Sequence, residues 1–343
     1  MAKHLVTGGA GFVGSQLVRA LAARGEQVRV LDLLDVAERP PGVEVVLGDV
    51  LDRRRVEEAV DGVEVVHHNA ALVPVTRAGA RFARVNTGGT QIVLDAARRA
   101  GVRFFVHVST SAVFGVPAEC PITESTEPRP VEDYGRSKLE AERRVLDAAR
   151  QGLECAIVRP RTVIGPGRLG IFKILYEWVS EGRKIYVIGD GNNRFQFIHV
   201  DDLVAALLAA ADKRCSGVYN VGGEPFGTLR EDLGAMIRHA GSASRVVATP
   251  RRLARALLGA LDRLRLSPLG PYHYTVYSES FHFELSGAKR RLAWAPRYGN
   301  VESLTQSYDW FLAERRRGAA DPAQSIHRRP AREGLLRALK WIS

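Results

Sequence analysis

Tyr134 and Lys138 have the types and the spacing of a proton-transfer pair. They are four residues apart at the start of a helical pattern over residues 134–150, so both side chains lie on one helix face. A free tyrosine hydroxyl has a pKa of about 10, and a neighbouring ammonium group favours the phenolate. We therefore expect Lys138, together with the positive ring of a nicotinamide cofactor, to lower the pKa of Tyr134 towards the range that general acid–base catalysis requires. The alternative is a solvated Tyr and Lys, because Tyr-x-x-x-Lys alone is a common pattern.

The segment Thr7–Gly14, Thr-Gly-Gly-Ala-Gly-Phe-Val-Gly, has the pattern of a phosphate-binding turn between a predicted strand and a predicted helix. Gly8 permits a tight turn, Gly11 lets the backbone approach a pyrophosphate, and Gly14 lets the helix pack on the strand. The helix N-terminus then faces the phosphates with its positive end, whereas an ordinary turn would not need these flanking elements. The residues expected to contact the cofactor here are Gly8, Gly11, Phe12, Val13 and Gly14.

Asp32 is the expected partner of the adenosine ribose. It ends the next predicted strand, 18 residues beyond Gly14. A carboxylate at this point accepts hydrogen bonds from the ribose hydroxyls and repels a 2′-phosphate. The sequence therefore predicts NAD, not NADP, as the cofactor.

These residues sit in a series of alternating strands and helices, which predicts an α/β Rossmann fold: a doubly wound parallel sheet with a smaller C-terminal α/β lobe. Strands are predicted at 3–7, 27–32, 43–47, 63–67, 103–109 and 153–159, and helices at 12–24, 53–60, 80–100 and 134–150. We expect three parts: an NAD-binding domain over 1–160, a mainly substrate-binding lobe over 161–312, and a basic tail over 313–343. The tail is expected to be a mobile linker followed by a short amphipathic helix, and segments after 160 could return to the first sheet.

In their order along the chain, these motifs resemble the extended short-chain dehydrogenase/reductase family, of the NAD-dependent epimerase/dehydratase type, from about residue 3 to about residue 312. The strand ending Val-Ser-Thr-Ser at 108–111 and the Val-Asn-Thr-Gly-Gly-Thr segment around Asn86 complete the pattern. The resemblance implies that Thr110 hydrogen-bonds the reacting oxygen beside Tyr134, and that Lys138 also binds the nicotinamide ribose. It implies a homodimer. Further cofactor contacts implied by the family are Asp49, Val50, Asn69, Ala70, Ala71, Asn86 and Arg159.

The reaction class follows from the residues after Thr110. The family's 4,6-dehydratases resemble one another in an Asp-Glu pair there, whereas this chain has Ser111-Ala112, so dehydration lacks an evident acid and base. Epimerases need no such pair. We therefore expect an NAD-dependent epimerase of a sugar nucleotide or related glycosyl substrate, working through a keto intermediate. The expected substrate contacts are Ser111, Arg161, Thr162 and Arg194.

Two other functions are weighed against the epimerase. The stretches 250–253 and 283–296 also resemble the hydroxysteroid branch, so the alternative is an NAD-dependent dehydrogenase of a sterol-like or lipid-linked alcohol. A non-enzymatic NAD-sensing scaffold is disfavoured because Thr110, Tyr134 and Lys138 are all present.

One departure from the family concerns the arginine that binds the substrate diphosphate, four residues before His199. Phe195 occupies that position, and Arg194 would substitute only if the loop shifts; on a strand the two neighbours point to opposite faces. We interpret His199 as a structural histidine at a helix entry, with Asp201 or Asp202 capping that helix.

Composition limits the remaining functions. The chain has 343 residues, of which 45% are hydrophobic and 25% charged, as in ordinary globular enzymes. Its net charge of +11 is the sum of +5 from residues 245–265 and +6 from 315–343, so the main domain carries no basic groove for nucleic acid. The three cysteines lack CxxC spacing, so we expect reduced thiols and no metal site. With no leader-like or membrane-spanning stretch, a cytoplasmic location is expected.

The two basic segments suggest contact with an anionic membrane surface. Residues 250–265 combine regularly spaced leucines with arginines, and 328–343 repeat this on a smaller scale with a tryptophan. Such basic amphipathic helices suit a bilayer interface. The alternative is a solvated basic face whose leucines pack on the core.

Overall fold

The computed structural model describes residues 2–35, 39–74, 78–263 and 276–317. A parallel sheet of seven strands forms its centre, in the order β3-β2-β1-β4-β5-β6-β10. Its strands are β1 (Lys3–Thr7), β2 (Gln27–Asp32), β3 (Glu44–Leu47), β4 (Val65–His68), β5 (Phe104–Val108), β6 (Cys155–Pro160) and β10 (Gly217–Val221). This confirms the predicted doubly wound fold and places the ends of β1, β2, β4 and β5 at one edge.

Helices cover both faces of this sheet: α1 (Phe12–Ala23), α2 (Arg53–Val60), α3 (Thr90–Arg99), α4 (Asp133–Arg150) and α6 (Val200–Asp212). Successive residues of β1 serve opposite sides, since Val6 packs with α1 and α6 while Leu5 packs with α2, α3 and α4. Burial on both faces explains why these strands are apolar throughout and not alternating. The helix predicted over 80–100 is not uniform, because a π-helical stretch, Ala83–Gly89, precedes α3.

The second lobe has its own aromatic core and two small parallel sheets. Its elements are β7 (Thr162–Ile164), α5 (Phe172–Ser180), β8 (Ile185–Ile188), β9 (Phe197–His199), α7 (Leu229–His239), β11 (Val246–Thr249), α8 (Arg251–Arg263), α9 (Ser286–Leu292) and α10 (Asn300–Arg317). β7 pairs with β9, and β8 with β11. Among the described helices none is long and apolar enough to cross a bilayer.

Two parts of the predicted layout differ from the structure. β10 and α6 return to the central sheet, the return that the sequence left open, so the segment after residue 160 serves both lobes. The expected start of the linker at residue 313 falls inside α10, which continues to Arg317 beyond its last buried residue, Phe311. The remainder of the basic tail lies outside the described residues.

Candidate active site

The turn after β1 has no room for side chains at its glycines. A Cβ on Gly14 would lie 2.1 Å from the carbonyl oxygen of Gly8, and a Cβ on Gly8 would lie 2.8 Å from the backbone of Ala70. Gly11 is the N-cap of α1, and no side chain caps this helix. The first amide groups of α1, including those of Phe12 and Val13, therefore remain available to an anion, as the pyrophosphate of NAD requires.

Asp32 is held at the end of β2 by the same turn. Its Oδ2 accepts a hydrogen bond from the backbone N–H of Ala10 at 2.9 Å, and its Oδ1 accepts one from Leu34 at 3.2 Å. Burial raises the pKa of Asp32, while these backbone donors act in the opposite direction. The carboxylate is thus oriented before any ribose arrives. Asp49 is likewise fixed, accepting from the backbone of Leu51 at 3.0 Å.

Asn86 ties the segment after β4 to α4. Its Oδ1 accepts from the N–H of Leu72 at 2.7 Å, and its Nδ2 donates to the Leu72 carbonyl at 3.1 Å and to Ser137 Oγ at 3.0 Å. Asn69 lies in the segment so held, and its buried Oδ1 has no hydrogen-bond partner within the described ranges. Ala70 and Ala71 follow it. The cradle therefore offers an acceptor beside the glycine turn, which fits a dinucleotide.

Thr110 and Tyr134 meet at the end of β5. The Thr110 Oγ1 accepts from the N–H of Ala112 at 3.1 Å, so its own proton is free to donate, and it hydrogen-bonds the Tyr134 phenol. Burial raises the pKa of Tyr134 to about 12, although Thr110 and Arg168 act to lower it. Desolvation dominates because the ring is buried. The expectation that Lys138 and the positive nicotinamide ring together favour the phenolate concerns the NAD-bound protein and stays a prediction.

The Lys138 ammonium is directed towards β5. Its Nζ donates to the carbonyl of Val108 at 2.8 Å and lies 3.2 Å from His107 Nε2. Burial lowers the pKa of Lys138 to about 8, and the nearby Glu142 carboxylate opposes that fall. Lys138 is therefore a cation fixed on the face of α4 that also carries Tyr134, as the four-residue spacing predicts.

A buried ion pair supports this face of α4. Arg159 donates to both carboxylate oxygens of Glu142, at 2.9 and 2.6 Å, and Ser109 Oγ donates to Glu142 at 2.5 Å. Both charged side chains are almost completely inaccessible. The structure thus places the Arg159 guanidinium on Glu142, and its contact with the cofactor stays a prediction.

Arg161, Ser111 and Thr162 lie together beside Thr110. Arg161 Nη1 donates to Ser111 Oγ at 2.8 Å, and the guanidinium carbon lies 3.8 Å above the centre of the Phe281 ring. Thr162 hydrogen-bonds the phenol of Tyr277. Three of the four predicted substrate contacts therefore lie near Thr110, and their role towards a substrate stays a prediction.

Arg194 and Phe195 point to opposite faces, as expected for neighbours in an extended segment. Phe195 is buried and stacks on Tyr277, with ring centres 4.7 Å apart. Arg194 is exposed and lies 4.7 Å above the Phe226 ring, in an open cleft of about 520 Å³ that Lys289 also lines. The position of the usual diphosphate-binding arginine is thus filled by a core aromatic ring.

The entry to α6 differs from the prediction. The backbone N–H of Asp201 donates to His199 Nδ1 at 3.2 Å, so the histidine ring is the cap. Asp202 is buried and accepts from the backbone of Arg297 and Tyr298, each at 3.0 Å. Capping by Asp201 or Asp202 is therefore wrong, because Asp202 anchors the segment before α10. The structural role proposed for His199 is confirmed.

Sequence reasoning missed three charged or titratable groups at this site. Arg168, in the loop after β7, lies 5.6 Å above the Phe12 ring and lowers the pKa of Tyr134. His107 Nε2 lies 3.2 Å from Lys138 Nζ, and Glu142 lies on the same helix as Lys138. A histidine inside an apolar strand and a glutamate four residues beyond Lys138 were the available signals. A fourth such group, the half-buried carboxyl of Glu132, precedes Tyr134 by two residues, and desolvation raises its pKa to about 7.

Comparisons with known proteins show the family of this chain. Residues 4–222 match the model of the NAD dependent epimerase/dehydratase family. Protein y4nG of Sinorhizobium fredii is 43% identical over 98% of this chain and 85% of its own. Sterol demethylase protein B of Methylococcus capsulatus is 34% identical over 78% of this chain and 86% of its own.

Solved structures show the same fold and the same cofactor. UDP-glucose 4-epimerase of Thermotoga maritima superposes with a TM-score of 0.76 at 26% identity, covering 91% of this chain and 99% of that one. Further similar structures contain NAD.

Proposed function

The chain belongs to the NAD dependent epimerase/dehydratase family, and from that premise we propose that it is an NAD-dependent epimerase of a sugar nucleotide or a related glycosyl substrate. The observation that carries the proposal is the site at the end of β5. Thr110, Tyr134 and Lys138 are all in place there, while Ser111 and Ala112 occupy the positions after the threonine. This set can move one proton, and the two positions after Thr110 carry no carboxyl group.

The roles of the side chains follow from their contacts. Tyr134 removes the hydroxyl proton of the substrate and later returns it, while Thr110 donates a hydrogen bond to the same oxygen. The Thr110 hydroxyl and the positive charge of Arg168 stabilise the phenolate, which burial alone disfavours. NAD, held by the glycine turn and Asp32, supplies the hydride acceptor when bound. Asp49, Val50, Asn69, Ala70, Ala71, Asn86 and Arg159 are proposed as its further contacts.

Epimerisation is favoured over dehydration by the Ser111 side chain. Elimination of water needs an additional acid and base, whereas Ser111 accepts a hydrogen bond from Arg161 and is buried. With Thr162 and Arg194, these residues are proposed to hold the glycosyl group and its phosphates. The similar structure of a UDP-glucose 4-epimerase supports this class of substrate.

The second candidate is net oxidation of a sterol-like or lipid-linked alcohol. It is supported by the 34% identity to a sterol demethylase protein and by Phe195, which replaces the usual diphosphate-binding arginine with an apolar ring. The two candidates differ in redox balance, because only the dehydrogenase releases NADH.

A substrate panel separates the candidates. The purified protein with NAD is incubated with nucleotide sugars, followed by proton NMR of the sugar and by NADH absorbance. The epimerase predicts inversion at one carbon with no accumulating NADH, and no inversion in Tyr134→Phe. Steady NADH formation from a sterol or lipid alcohol, with no inversion of any sugar, would replace the first candidate by the second.

We also propose that α8 touches an anionic bilayer. Leu253 and Leu257 are 62% and 50% exposed on one face of this helix, and Arg252 beside them is exposed, so these leucines are not packed on the core formed by the described residues. Each basic residue near an anionic surface contributes about 1 kcal/mol. The segment 328–343, given the same role by its sequence, lies outside the described residues. The expected homodimer and cytoplasmic location stay predictions.

Vesicle co-sedimentation tests the α8 contact. The wild type should sediment with phosphatidylglycerol vesicles and much less with phosphatidylcholine, and the double variant Leu253→Asp, Leu257→Asp should stay in solution. Leu146→Asp, at an exposed leucine on α4, is the matched control and should behave as the wild type. Equal sedimentation of the α8 variant and the wild type would exclude this surface.

A further inference from the structure

We propose that His107 is a positioning residue that accepts a hydrogen bond from the Lys138 ammonium and keeps it charged and directed at the cofactor side of the sheet. The inference concerns the protein's own side chains, and it rests on the proposed role of Lys138 only for its consequence in catalysis.

The geometry at Lys138 leaves one of its three N–H donors unassigned. Nζ lies 2.8 Å from the carbonyl oxygen of Val108 and 3.2 Å from His107 Nε2. Both acceptors are on β5, so two bonds fix the ammonium against one strand. The third donor is then the one that can reach a ribose hydroxyl or the Tyr134 side. Without His107, the ammonium would rotate about a single remaining bond.

His107 can act only as an acceptor here. An ammonium has no acceptor, so His107 Nε2 must be unprotonated and the ring proton resides on Nδ1, which is buried and has no hydrogen-bond partner among the described residues. The ring is completely buried, and desolvation followed by the charge of Lys138 holds the pKa of His107 well below its ordinary value. His107 therefore stays neutral at physiological pH and does not compete with Lys138 for positive charge.

The strand and its neighbour prevent the ring from turning away. His107 pairs with His68 on β4 and with Ile157 on β6 in the sheet register. Its ring stacks on that of His68, with centres 5.5 Å apart. The His68 ring is itself held between the hydroxyl groups of Thr7 at 2.8 Å and Thr90 at 2.9 Å. The stacked His68 ring therefore fixes the His107 ring, and with it the Nε2 acceptor of the Lys138 hydrogen bond.

The charged and titratable groups around Lys138 set the sign of the effect. Glu142 faces it from its own helix, His107 from β5 and His68 from β4, and Tyr134 lies one turn earlier on the same helix face. Glu142 favours the ammonium, and burial disfavours it. A hydrogen bond to His107 stabilises the ammonium form of Lys138, so loss of this acceptor must lower the proton affinity of Lys138.

The test reads the titration of Lys138 directly, without substrate. Protein labelled with ¹³C at the lysine Cε carbons is titrated by NMR, and the Lys138 signal is assigned by its absence in Lys138→Met. His107→Phe should lower the Lys138 titration midpoint by about one pH unit, a tenfold loss of proton affinity. His107→Gln, which retains an acceptor, should restore most of it.

His67→Phe is the matched control. His67 is also completely buried, on β4, but its ring contacts His4 at 3.2 Å and not Lys138. It should leave the Lys138 midpoint unchanged. Equal shifts in His107→Phe and His67→Phe, or none in His107→Phe, would overturn the proposal and leave His107 as a packing residue.

The wild type gives a second test that needs no substitution. Imidazole ¹⁵N shifts should show His107 with its proton on Nδ1, and a proton on Nε2 would contradict the proposal. In His107→Phe, the pH at which NAD affinity changes should move together with the titration midpoint of Lys138. Failure to epimerise any sugar would refute the proposed function while leaving these titrations intact.

Discussion

Replacement of Gly14 by alanine tests the cofactor turn most sharply, because helix propensity and packing act in opposite directions there. Gly14 lies in the first turn of α1, where alanine is favoured over glycine by about 1 kcal/mol. The new Cβ, however, would lie 2.1 Å from the Gly8 carbonyl oxygen, against an ordinary contact of at least 3.4 Å. The turn must therefore open by about 1.3 Å, the difference between those distances. Overpacking of this kind costs roughly 1–3 kcal/mol.

The effect on NAD should exceed the effect on stability. The displaced turn carries the amide groups that face the pyrophosphate, and a hydrogen bond to a charged group contributes about 1.5–3 kcal/mol. Loss of one such bond weakens NAD binding by roughly 10- to 150-fold, since 1.4 kcal/mol corresponds to about a factor of ten. Net unfolding free energy should fall by no more than about 2 kcal/mol, because the gain in propensity offsets part of the strain.

The assay pairs calorimetric NAD titration with urea unfolding. Gly234→Ala is the control, since its Cβ would meet only Arg238 Nη1 at 3.5 Å, within α7 and away from the turn. It should stabilise the fold by about 0.5–1 kcal/mol and leave NAD affinity unchanged. Wild-type NAD affinity in Gly14→Ala would refute the assignment of this turn to the pyrophosphate.

Three further predictions follow from the site. Tyr134→Phe should keep NAD affinity within about twofold and lower turnover by at least about 100-fold; full turnover would reassign the base. Glu142→Gln should reduce the unfolding free energy by about 3–5 kcal/mol, because Arg159 is left as a buried charge; a urea midpoint equal to that of the wild type would show that the pair adds nothing. The folded-state pKa of Lys138 is about 8, below its ordinary 10.5, so the unfolded chain binds more protons between these values. Stability relative to Lys138→Met should therefore rise with pH from about 8 to about 10.5, and a flat or falling difference would contradict the burial of this amine.

Much of the cofactor site was predictable because it depends on local chain geometry. The glycines, the end of β2 at Asp32 and the Tyr134–Lys138 face of α4 each follow from spacing within one strand–turn–helix unit. Their meeting at one edge follows from the parallel sheet, since carboxyl ends of parallel strands lie together.

The parts that were missed depend on distant contacts. The contact between His107 and Lys138 spans 31 residues, and that between Arg159 and Glu142 spans 17, so neither is visible as a spacing. The raised pKa of Tyr134 in the chain alone has a related origin, because the degree of burial is a property of the packed lobe and not of the motif. The cap of α6 by His199 was missed for the same reason, because Asp202 accepts a hydrogen bond from the distant backbone before α10.

Return of the hydride to the carbon from which it came is the central claim of the proposed epimerase. It is tested with a nucleotide sugar that carries deuterium at the carbon that inverts, incubated with the NAD-loaded protein in ordinary water and followed by NMR and mass spectrometry. Retention of deuterium at the inverted carbon, with no free NADH, is the predicted result. Exchange of the deuterium for solvent hydrogen, or its stoichiometric appearance in released NADH, would contradict the account.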